Sequence, residues 1–211
     1  MTYAEFAAQC IGHAEQHKSG LSLEALTVPA FSGYCVKHLL NTLCSLKPLH
    51  YLEVGVHQGG TFCAAMYGNQ PDSSLAIDNW SEFERNGETR ARFLENLAKF
   101  APTSRFLEKD CFALTPEEIG HPVNVYFYDG NHSEESQYKA LMHFLPMLAD
   151  EFIWLVDDYG WHEAPSVKAG TQRAIKDSGV TVLFERDLQP PQPYDANGWW
   201  NGLYVGVLRK P

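Results

Sequence analysis

A glycine turn near residue 55 is the first candidate for chemistry. The apolar stretch before it ends at Glu53-Val54, and Gly55 and Gly59 follow with the spacing E-x-G-x-x-x-G. Glycine at these places lets the backbone turn tightly and approach a ligand closely, because a Cβ would collide or forbid a positive φ. Such a turn between a strand and a helix usually holds a nucleotide-like ligand in α/β proteins. The spacing differs from the dinucleotide fingerprint G-x-G-x-x-G, which argues against a nicotinamide cofactor.

Acidic residues follow two later predicted strands, at the end of the strand where an open α/β sheet binds its ligand. Asp78 follows the second strand, and its carboxylate is suited to accept hydrogen bonds from both ribose hydroxyls of a nucleoside. Asp110 and Cys111 follow the third strand, where we expect them beside the base. Each aspartate has an ordinary alternative role as the N-cap of the next helix.

Three further aspartates follow the fourth and fifth predicted strands. Asp129 opens the sequence Asp-Gly-Asn-His, and Asp157 and Asp158 are consecutive. If these strands are parallel neighbours, about 4.8 Å apart, the three carboxylates converge at one edge of the sheet. Close anions repel unless a cation neutralises them, and carboxylate oxygens suit a hard divalent ion such as Mg²⁺. The alternative is that Asp157 or Asp158 only caps the following helix.

These residues must be positioned by alternating strands and helices. Seven apolar runs are predicted to be strands: Tyr51–Val56, Ser74–Ile77, Arg105–Leu107, Val123–Tyr128, Phe152–Val156, Val180–Phe184 and Leu203–Leu208. Helical patterns lie between them at Thr61–Tyr67, Gly87–Phe100, Ser133–Leu148 and Ser166–Ser178. Strand alternating with helix predicts an α/β fold with a mostly parallel sheet and helices on both faces.

The two ends of the chain depart from this alternation. Residues 1–48 are predicted to form a helical segment that packs on an α/β domain of residues 49–211, within a single domain overall. Three prolines and two glycines between Phe184 and Leu203 exclude a regular helix there. The last two strands are therefore predicted to form an antiparallel hairpin joined by a loop.

Composition excludes several classes of protein. The chain of 211 residues has a formal net charge of −10, from 26 acidic and 16 basic residues, which argues against a nucleic-acid-binding surface. No apolar run approaches the ~20 residues that span a bilayer, and the N-terminus lacks the features of a signal peptide. The five cysteines form no C-x-x-C pair, so we expect reduced thiols and a cytoplasmic location. No histidine and cysteine spacing predicts a structural zinc site.

Six aromatic residues lie after the predicted strands or in the loop before the last one: Trp80, Phe83, Trp161, Tyr194, Trp199 and Trp200. Rings in these places either line a ligand site, form a lid over it, or cover the core or a subunit interface. The sequence leaves these alternatives open.

Together these motifs resemble those of class I S-adenosylmethionine-dependent methyltransferases. More narrowly they resemble the metal-dependent macrocin-type O-methyltransferases and related small bacterial methyltransferases with a strand-four D-G-x-H element. The matching motifs are Glu53-Val54-Gly55-Val56-His57-Gln58-Gly59, Asp78, Asp129-Gly130-Asn131-His132 and Val156-Asp157-Asp158-Tyr159. The resemblance runs from roughly Phe31 to Leu208 and implies a Rossmann-like seven-stranded sheet with a C-terminal antiparallel hairpin.

The resemblance also implies roles for the matched residues. Mg²⁺ or another divalent cation would bind Asp129, Asp157 and Asp158, and the catalytic residues would be Asp129 and His132. S-adenosylmethionine would bind Glu53, Gly55, Val56, His57, Gly59, Thr61, Asp78, Asn79, Asp110, Cys111 and Asp129. The acceptor implied is a small hydroxylated molecule, with no nucleic acid or membrane as partner. A homodimer is allowed, since family members often pair through N-terminal helices.

One position departs from the family pattern. Macrocin-type enzymes have an aspartate, thought to be a base, where this chain has Asn131. An amide cannot accept a proton at neutral pH, so three alternatives stay open: His132 is the base, the metal alone acidifies the hydroxyl, or the activity differs or is lost. His162 is a second candidate base. The competing hypotheses are a cofactor-binding protein without methyl transfer and an NAD-dependent Rossmann oxidoreductase.

Overall fold

The computed structural model describes all residues, 1–211, and contains one seven-stranded sheet. Its strands are β1 (His50–Val54), β2 (Ser73–Asp78), β3 (Arg105–Glu108), β4 (Val123–Tyr128), β5 (Leu148–Asp157), β6 (Thr181–Leu188) and β7 (Leu203–Arg209). Their order across the sheet is β3-β2-β1-β4-β5-β7-β6. The first five strands are parallel, and β7 runs antiparallel to β5 and β6. The predicted fold class is confirmed.

Eight α-helices surround the sheet: α1 (Tyr3–Ala14), α2 (Leu23–Leu26), α3 (Tyr34–Leu43), α4 (Gly60–Met66), α5 (Glu88–Phe100), α6 (Pro116–Ile119), α7 (Glu134–Met142) and α8 (Pro165–Ser178). On one face, Leu39 of α3 shares a buried cluster with Phe127 of β4. On the other face, Leu141 of α7 shares a second cluster with Tyr126. Helices therefore cover both faces of the sheet, as expected.

The alternation of side chains along β4 explains why helices must pack on both faces of the sheet. Every residue of β4 is buried. Val125 and Phe127 belong to the first cluster, while Tyr126 and Tyr128 belong to the second. Successive side chains of a strand point to opposite faces, so a central strand must be apolar on both. The carboxyl end of this strand consequently places Asp129 at the middle of the sheet.

Two predicted boundaries were wrong for identifiable reasons. The helix predicted over Ser133–Leu148 ends at Met142, and a short 3₁₀ helix, Leu145–Met147, leads into β5. Pro146 lies in that short helix, and proline cannot donate the hydrogen bond that an α-helix interior requires. The first strand ends before Val56, because a φ of 83° at Gly55 takes the chain out of the strand.

The remaining expectations concern thiols and membranes. All five cysteines are free thiols, and every one except Cys111 is buried. Burial raises the pKa of the Cys63 thiol to about 12, so it is a neutral core side chain. No helix combines the length and the apolar character needed to cross a membrane.

Candidate functional site

A cavity of about 360 Å³ opens at the carboxyl edge of the sheet. Its volume lies in the range of small-molecule sites, about 300–1,000 Å³. The edge is the one at which open α/β sheets bind ligands. The predicted site residues that line the cavity are Gly55, His57, Asp78, Asn79, Asp110, Cys111, Asp129, His132 and Asp158. Those that do not line it are Glu53, Val56, Gly59, Thr61 and Asp157.

Gly55 lets the ends of β1 and β4 approach each other beside the cavity. Its φ is 83°, and its amide donates to the carbonyl oxygen of Ile77 at 2.9 Å. A Cβ on Gly55 would lie 1.8 Å from the carbonyl oxygen of Asp129. A side chain there would therefore push apart two strand ends that carry candidate residues. Gly59, with a φ of 87°, is the N-cap of α4.

Asp78 holds the glycine turn in place. Its Oδ2 accepts hydrogen bonds from the amides of Val56 at 3.0 Å and His57 at 2.9 Å. Its Oδ1 accepts the amide of Trp80 at 2.7 Å. Each carboxylate oxygen can accept about two hydrogen bonds, so Oδ1 retains a position for a ligand hydroxyl. The residue thus shapes the turn and still presents an acceptor to the cavity.

Glu53 lies beneath the glycine turn and is fully buried. Its Oε1 accepts the hydroxyl of Thr61 at 2.6 Å, and its Oε2 accepts the hydroxyl of Tyr51 at 2.5 Å. Burial raises the pKa of Glu53 to about 7, although both hydrogen bonds act to lower it. We expected Glu53 and Thr61 to bind the cofactor, and the structure instead pairs their side chains with each other outside the cavity wall.

Asp110 and Cys111 lie in the cavity wall beyond β3. Asp110 is exposed, and its Oδ1 accepts the amide of Phe112 at 2.9 Å, so it caps the short 3₁₀ helix Cys111–Ala113. Burial raises the pKa of the Cys111 thiol to about 12, which keeps it neutral. The neutral thiol and the Phe112 ring give this wall an apolar surface next to a single carboxylate.

Three polar side chains converge in the same cavity and form what we call the Asp–His–Asp cluster: Asp129, His132 and Asp158. Their ligand atoms all lie within 4.8 Å of one another. His132 Nε2 is 3.1 Å from Asp158 Oδ2, and Asn201 Nδ2 donates to Asp158 Oδ1 at 2.8 Å. The two aspartates meet because β4 and β5 are parallel neighbours in the sheet.

Charges in the Asp–His–Asp cluster shift one another's ionisation. Burial, and then the nearby carboxylates of Asp157 and Asp158, raise the pKa of Asp129 well above its usual range. The hydrogen bond to Asp158, together with the charge of that carboxylate, raises the pKa of His132. Clustered anions of this kind need protons or a cation to balance them. The cluster is therefore a candidate both for acid–base chemistry and for cation binding.

Asp157 is placed differently from the other two aspartates. It is only 2% exposed, and neither of its carboxylate oxygens has a hydrogen-bond partner. Burial raises the pKa of Asp157 well above its usual range, and the neighbouring Asp158 raises it further. An ionised carboxylate is costly to bury without partners. This residue adds to the demand for a proton or a cation, although its ligand atoms lie outside the Asp–His–Asp cluster.

Asn131 is occupied by structural hydrogen bonds. Its Nδ2 donates to Glu82 Oε1 at 2.9 Å, and its Oδ1 accepts the amide of Ser133 at 3.0 Å. His162 is exposed, with its Nε2 3.8 Å from Glu163 Oε1, and it does not line the cavity. Of the two candidate histidine bases, only His132 belongs to the cavity wall.

Aromatic rings line much of the remaining wall, in two groups. In the first, the ring centroids of Phe31 and Phe83 are 5.5 Å apart. In the second, Tyr194 lies between Trp161 at 6.3 Å and Trp200 at 5.6 Å. Backbone strain accompanies both groups, because Phe83, Tyr194 and Trp200 all have a φ between 58° and 59°. Strain of this kind is found preferentially at functional sites.

The structure decides between the alternatives left open for two of the tryptophans, and it adds wall residues that were not predicted. Trp80 and Trp199 belong to the buried core cluster and not to the cavity. Phe31, Glu82 and Asn201 line the cavity without having been predicted. Glu82 and Phe31 carry no recognisable motif, and the only signal for Asn201 was its place directly after the Trp-Trp pair.

Fold and cavity together define a class: a Rossmann-like α/β domain with a cavity of small-molecule size at the carboxyl edge of its parallel strands. The chain belongs to the methyltransferase domain family, whose sequence profile matches residues 52–159. The match spans the glycine turn, Asp78 and all three residues of the Asp–His–Asp cluster. An NAD-dependent oxidoreductase is not favoured by this assignment. No curated protein matches the sequence significantly.

Solved structures share the fold at low sequence identity. The SAH-bound methyltransferase PaMTH1 of Podospora anserina is 15% identical with a TM-score of 0.65, over 100% of this chain and 97% of that one. A proposed caffeoyl-CoA O-methyltransferase of Staphylococcus aureus is 15% identical with a TM-score of 0.62, over 95% of this chain and 98% of that one. An rRNA methylase of Streptococcus thermophilus is 11% identical with a TM-score of 0.51, over 79% of this chain and 89% of that one. Their names point to different acceptors, so the likeness shows the fold and leaves the acceptor open.

Proposed function

We propose that the protein is an S-adenosylmethionine-dependent O-methyltransferase that methylates a hydroxyl group of a small molecule with the help of a divalent cation such as Mg²⁺. One observation carries the proposal: the Asp–His–Asp cluster lies in the wall of the cavity that also holds the glycine turn and Asp78. Residues suited to a nucleoside cofactor and residues suited to activating a hydroxyl therefore share one space.

The residues around the glycine turn fit S-adenosylmethionine. Gly55 has no side chain to obstruct the turn, and Asp78 keeps an acceptor position for a ribose hydroxyl. We assign Asp110 to the amino group of adenine, with the neutral Cys111 and the Phe112 ring against the base. The structural neighbour from Podospora anserina is SAH-bound, which supports a cofactor of this kind. When bound, S-adenosylmethionine supplies an electrophilic methyl group on sulfur.

The chemistry of the donor set fits a divalent cation. Asp129 and Asp158 present carboxylate oxygens, which are the ligands that hard divalent ions prefer. The buried carboxyl group of Asp157 has no hydrogen-bond partner, and a nearby cation would stabilise its ionised form. A bound divalent cation polarises an acceptor hydroxyl and lowers its pKa. We assign the ligands to Asp129 and Asp158, with Asp157 contributing charge.

His132 is the residue that we assign as the base. Its Nε2 faces Asp158 Oδ2 at 3.1 Å, and this pairing leaves Nδ1 to accept the proton of the acceptor hydroxyl. The Trp161 ring also restrains the His132 imidazole, because the two rings form an edge-to-face contact with centroids 5.4 Å apart and planes at 88°. Orientation of the acceptor and stabilisation of charge in the transition state would supply most of the remaining rate enhancement.

Calorimetric titration with S-adenosylhomocysteine tests the cofactor half of the proposal. We expect binding both with Mg²⁺ and with EDTA, and about tenfold or more weaker binding to Asp78→Asn, which loses a charged acceptor. The matched control is Asp177→Asn, the same change at an exposed position of α8, which should bind as the parent protein does. Absence of binding in both buffers would contradict the proposal.

Transfer of a labelled methyl group from S-adenosylmethionine to catechol tests the chemical half. We expect turnover with Mg²⁺, its loss with EDTA, and a reduction on the order of a hundredfold or more in His132→Gln. That variant should still bind S-adenosylhomocysteine, because His132 is not assigned to the cofactor. Cofactor binding without transfer to any hydroxylated acceptor would favour the alternative of a binding protein that lacks methyl transfer.

A further inference from the structure

We propose that residues 81–83, which we call the strap, form a gate over the cofactor part of the cavity, and that a hydrogen bond between Glu82 and Asn131 fastens it. The gate opens to admit S-adenosylmethionine and closes again over the bound cofactor. The identity of the ligand rests on the proposed function, whereas the fastening rests on contacts within the protein itself.

The fastening hydrogen bond crosses the cavity. Asn131 Nδ2 donates to Glu82 Oε1 at 2.9 Å. Glu82 follows β2 and Asn131 follows β4, and β1 lies between these two strands in the sheet. Neighbouring strands are about 4.8 Å apart, so the two side chains must reach across the carboxyl end of β1, where the glycine turn begins. Both residues line the cavity and are also exposed, which places their hydrogen bond at its mouth.

Asn131 is held in the orientation of a donor toward the strap. Its Oδ1 accepts the amide of Ser133 at 3.0 Å, and its backbone carbonyl accepts Gln137 Nε2 at 3.1 Å. Because Oδ1 already faces a donor, Nδ2 is the atom that faces Glu82. An aspartate at position 131 would keep the bond to Ser133 but would present a second carboxylate to Glu82, and the two would repel. The amide therefore suits a fastening role that a carboxylate would not fill.

The strap lies between two anchored ends. Before it, Asp78 Oδ1 accepts the amide of Trp80 at 2.7 Å, and after it, Glu84 Oε1 accepts the amide of Gly87 at 2.9 Å. Trp80 and Phe83, at the two ends, have positive φ values of 47° and 59°. Hinges are usually a few loop residues that absorb large changes in φ and ψ. Motion between these two points would open the cavity without disturbing β2 or α5.

A ring contact adds to the fastening on the side of the glycine turn. The Phe83 ring lies 5.5 Å from that of Phe31 and 6.5 Å from that of His57. Phe83 remains 62% exposed, so the contact buries little apolar surface. Glu82 supplies the hydrogen bond that ties the strap to the opposite side of the cavity. At an exposed position such a bond contributes only modestly to stability, so the gate can open readily.

An exchange of the two side chains tests the fastening. Asn131→Asp removes the donor to Glu82 and keeps the acceptor for Ser133. The double variant Glu82→Gln/Asn131→Asp restores the hydrogen bond with donor and acceptor reversed, at the net charge of the parent protein. Glu82→Gln alone keeps an acceptor for Asn131, so it isolates the loss of charge.

Stopped-flow kinetics with S-adenosylhomocysteine, followed by tryptophan emission, measure the gate. We expect Asn131→Asp to raise the association and dissociation rate constants together, each by about threefold or more. The dissociation constant should change by less than about twofold, because a gate must open before both entry and release. A residue that only contacts the ligand would change mainly the dissociation rate. Both rate constants should return to the parent values in the double variant. Unchanged rates in Asn131→Asp, or no recovery in the double variant, would overturn the inference.

Limited proteolysis of the unliganded protein separates this inference from the proposed function. Trypsin cleaves after Arg85, which is exposed, and its access requires the residues on either side, the strap included, to detach. Cleavage there should be about threefold faster in Asn131→Asp and should return to the parent rate in the double variant. Cleavage after Lys18, exposed in the turn that follows α1, should be the same in all variants.

The two measurements together assign a failure to one proposal or the other. The expected pattern of cleavage without any binding of S-adenosylhomocysteine would refute the proposed function and leave the fastening in place. Binding of S-adenosylhomocysteine at the same rates in every variant would refute the gate and leave the proposed function in place. Unchanged cleavage after Arg85 in Asn131→Asp would overturn the fastening whether or not the cofactor binds.

Discussion

Ionisation of the buried Glu53 carboxyl group should destabilise the folded protein. Its pKa is about 7 in the folded state against 4.5 for an ordinary glutamate, so the folded state binds its proton more tightly. Stability is then lost as pH rises through the window between these values. We expect Glu53→Gln to gain stability relative to the parent protein across this window, by up to about 3 kcal/mol. Denaturant unfolding at about pH 5 and about pH 8 measures the difference.

Glu95→Gln supplies the control for this comparison. Glu95 is exposed on α5, so its removal should change stability by a few tenths of a kcal/mol at either pH. A stability difference between Glu53→Gln and the parent that stays constant with pH would show that Glu53 titrates normally. The pKa argument would then fail, although the hydrogen bonds to Tyr51 and Thr61 would stand.

At the residue scale, the sequence predicts strand-end residues better than it predicts which way they face. Asp129 and Asp158 were expected to meet, because neighbouring parallel strands end at one edge, and the structure brings them together. Glu53 and Val54 are adjacent in β1, and only Val54 lines the cavity. The face that each takes depends on what packs against the sheet, which the local sequence does not contain.

The glycine turn is the element whose geometry tolerates least change. Gly55 and Gly68 both have a positive φ, of 83° and 72°, but only Gly55 also lacks space for a Cβ. Gly68→Ala should cost about 1 kcal/mol for its backbone conformation. Gly55→Ala should cost roughly 3 kcal/mol or more, because the new methyl group would collide with the carbonyl of Asp129. Denaturant unfolding of the two variants separates the collision from the conformational cost.

Cofactor binding gives this comparison a second measurement. Gly55→Ala should also lose affinity for S-adenosylhomocysteine in the fraction that folds, since the turn it distorts lies in the cavity wall. Gly68→Ala should bind normally, because open space surrounds Gly68. Equal stability and equal affinity in both variants would mean that β1 and β4 can separate at no cost.

At the element scale, most strands and helices follow from local pattern, and the errors come from competing signals. β4 was predicted with its observed bounds because an almost continuous apolar run has no other stable place in an α/β sheet. The helix predicted to continue to Leu148 combined a true helix with the first residue of β5. Pro146 lies inside the predicted range, and the α-helix ends before it, at Met142.

At the scale of the whole molecule, hydrogen bonds connect the N-terminal helical segment to the loop that carries Tyr194 and Trp200 of the second aromatic group. The amides of Tyr34 and Cys35 donate to the carbonyls of Ala196 at 2.8 Å and Gly198 at 3.1 Å. His17 Nε2 also bonds to the carbonyl of Asn197 at 2.8 Å. Contacts between residues so distant in the chain leave no trace in local sequence, so the partner of this loop could not be predicted. The start of α3 therefore supports one wall of the candidate site.

Gly33→Ala tests this link between the two ends of the chain. A Cβ on Gly33 would lie 2.1 Å from the carbonyl oxygen of Gly198, so the loop must move away from α3. We expect a loss of about 2 kcal/mol of stability and a change in tryptophan emission from the displaced loop. Gly12→Ala, in α1 with open space around it, should instead stabilise the protein by up to about 1 kcal/mol. Unchanged stability and emission in Gly33→Ala would show that this contact does not hold the loop, and the aromatic wall would then need another support.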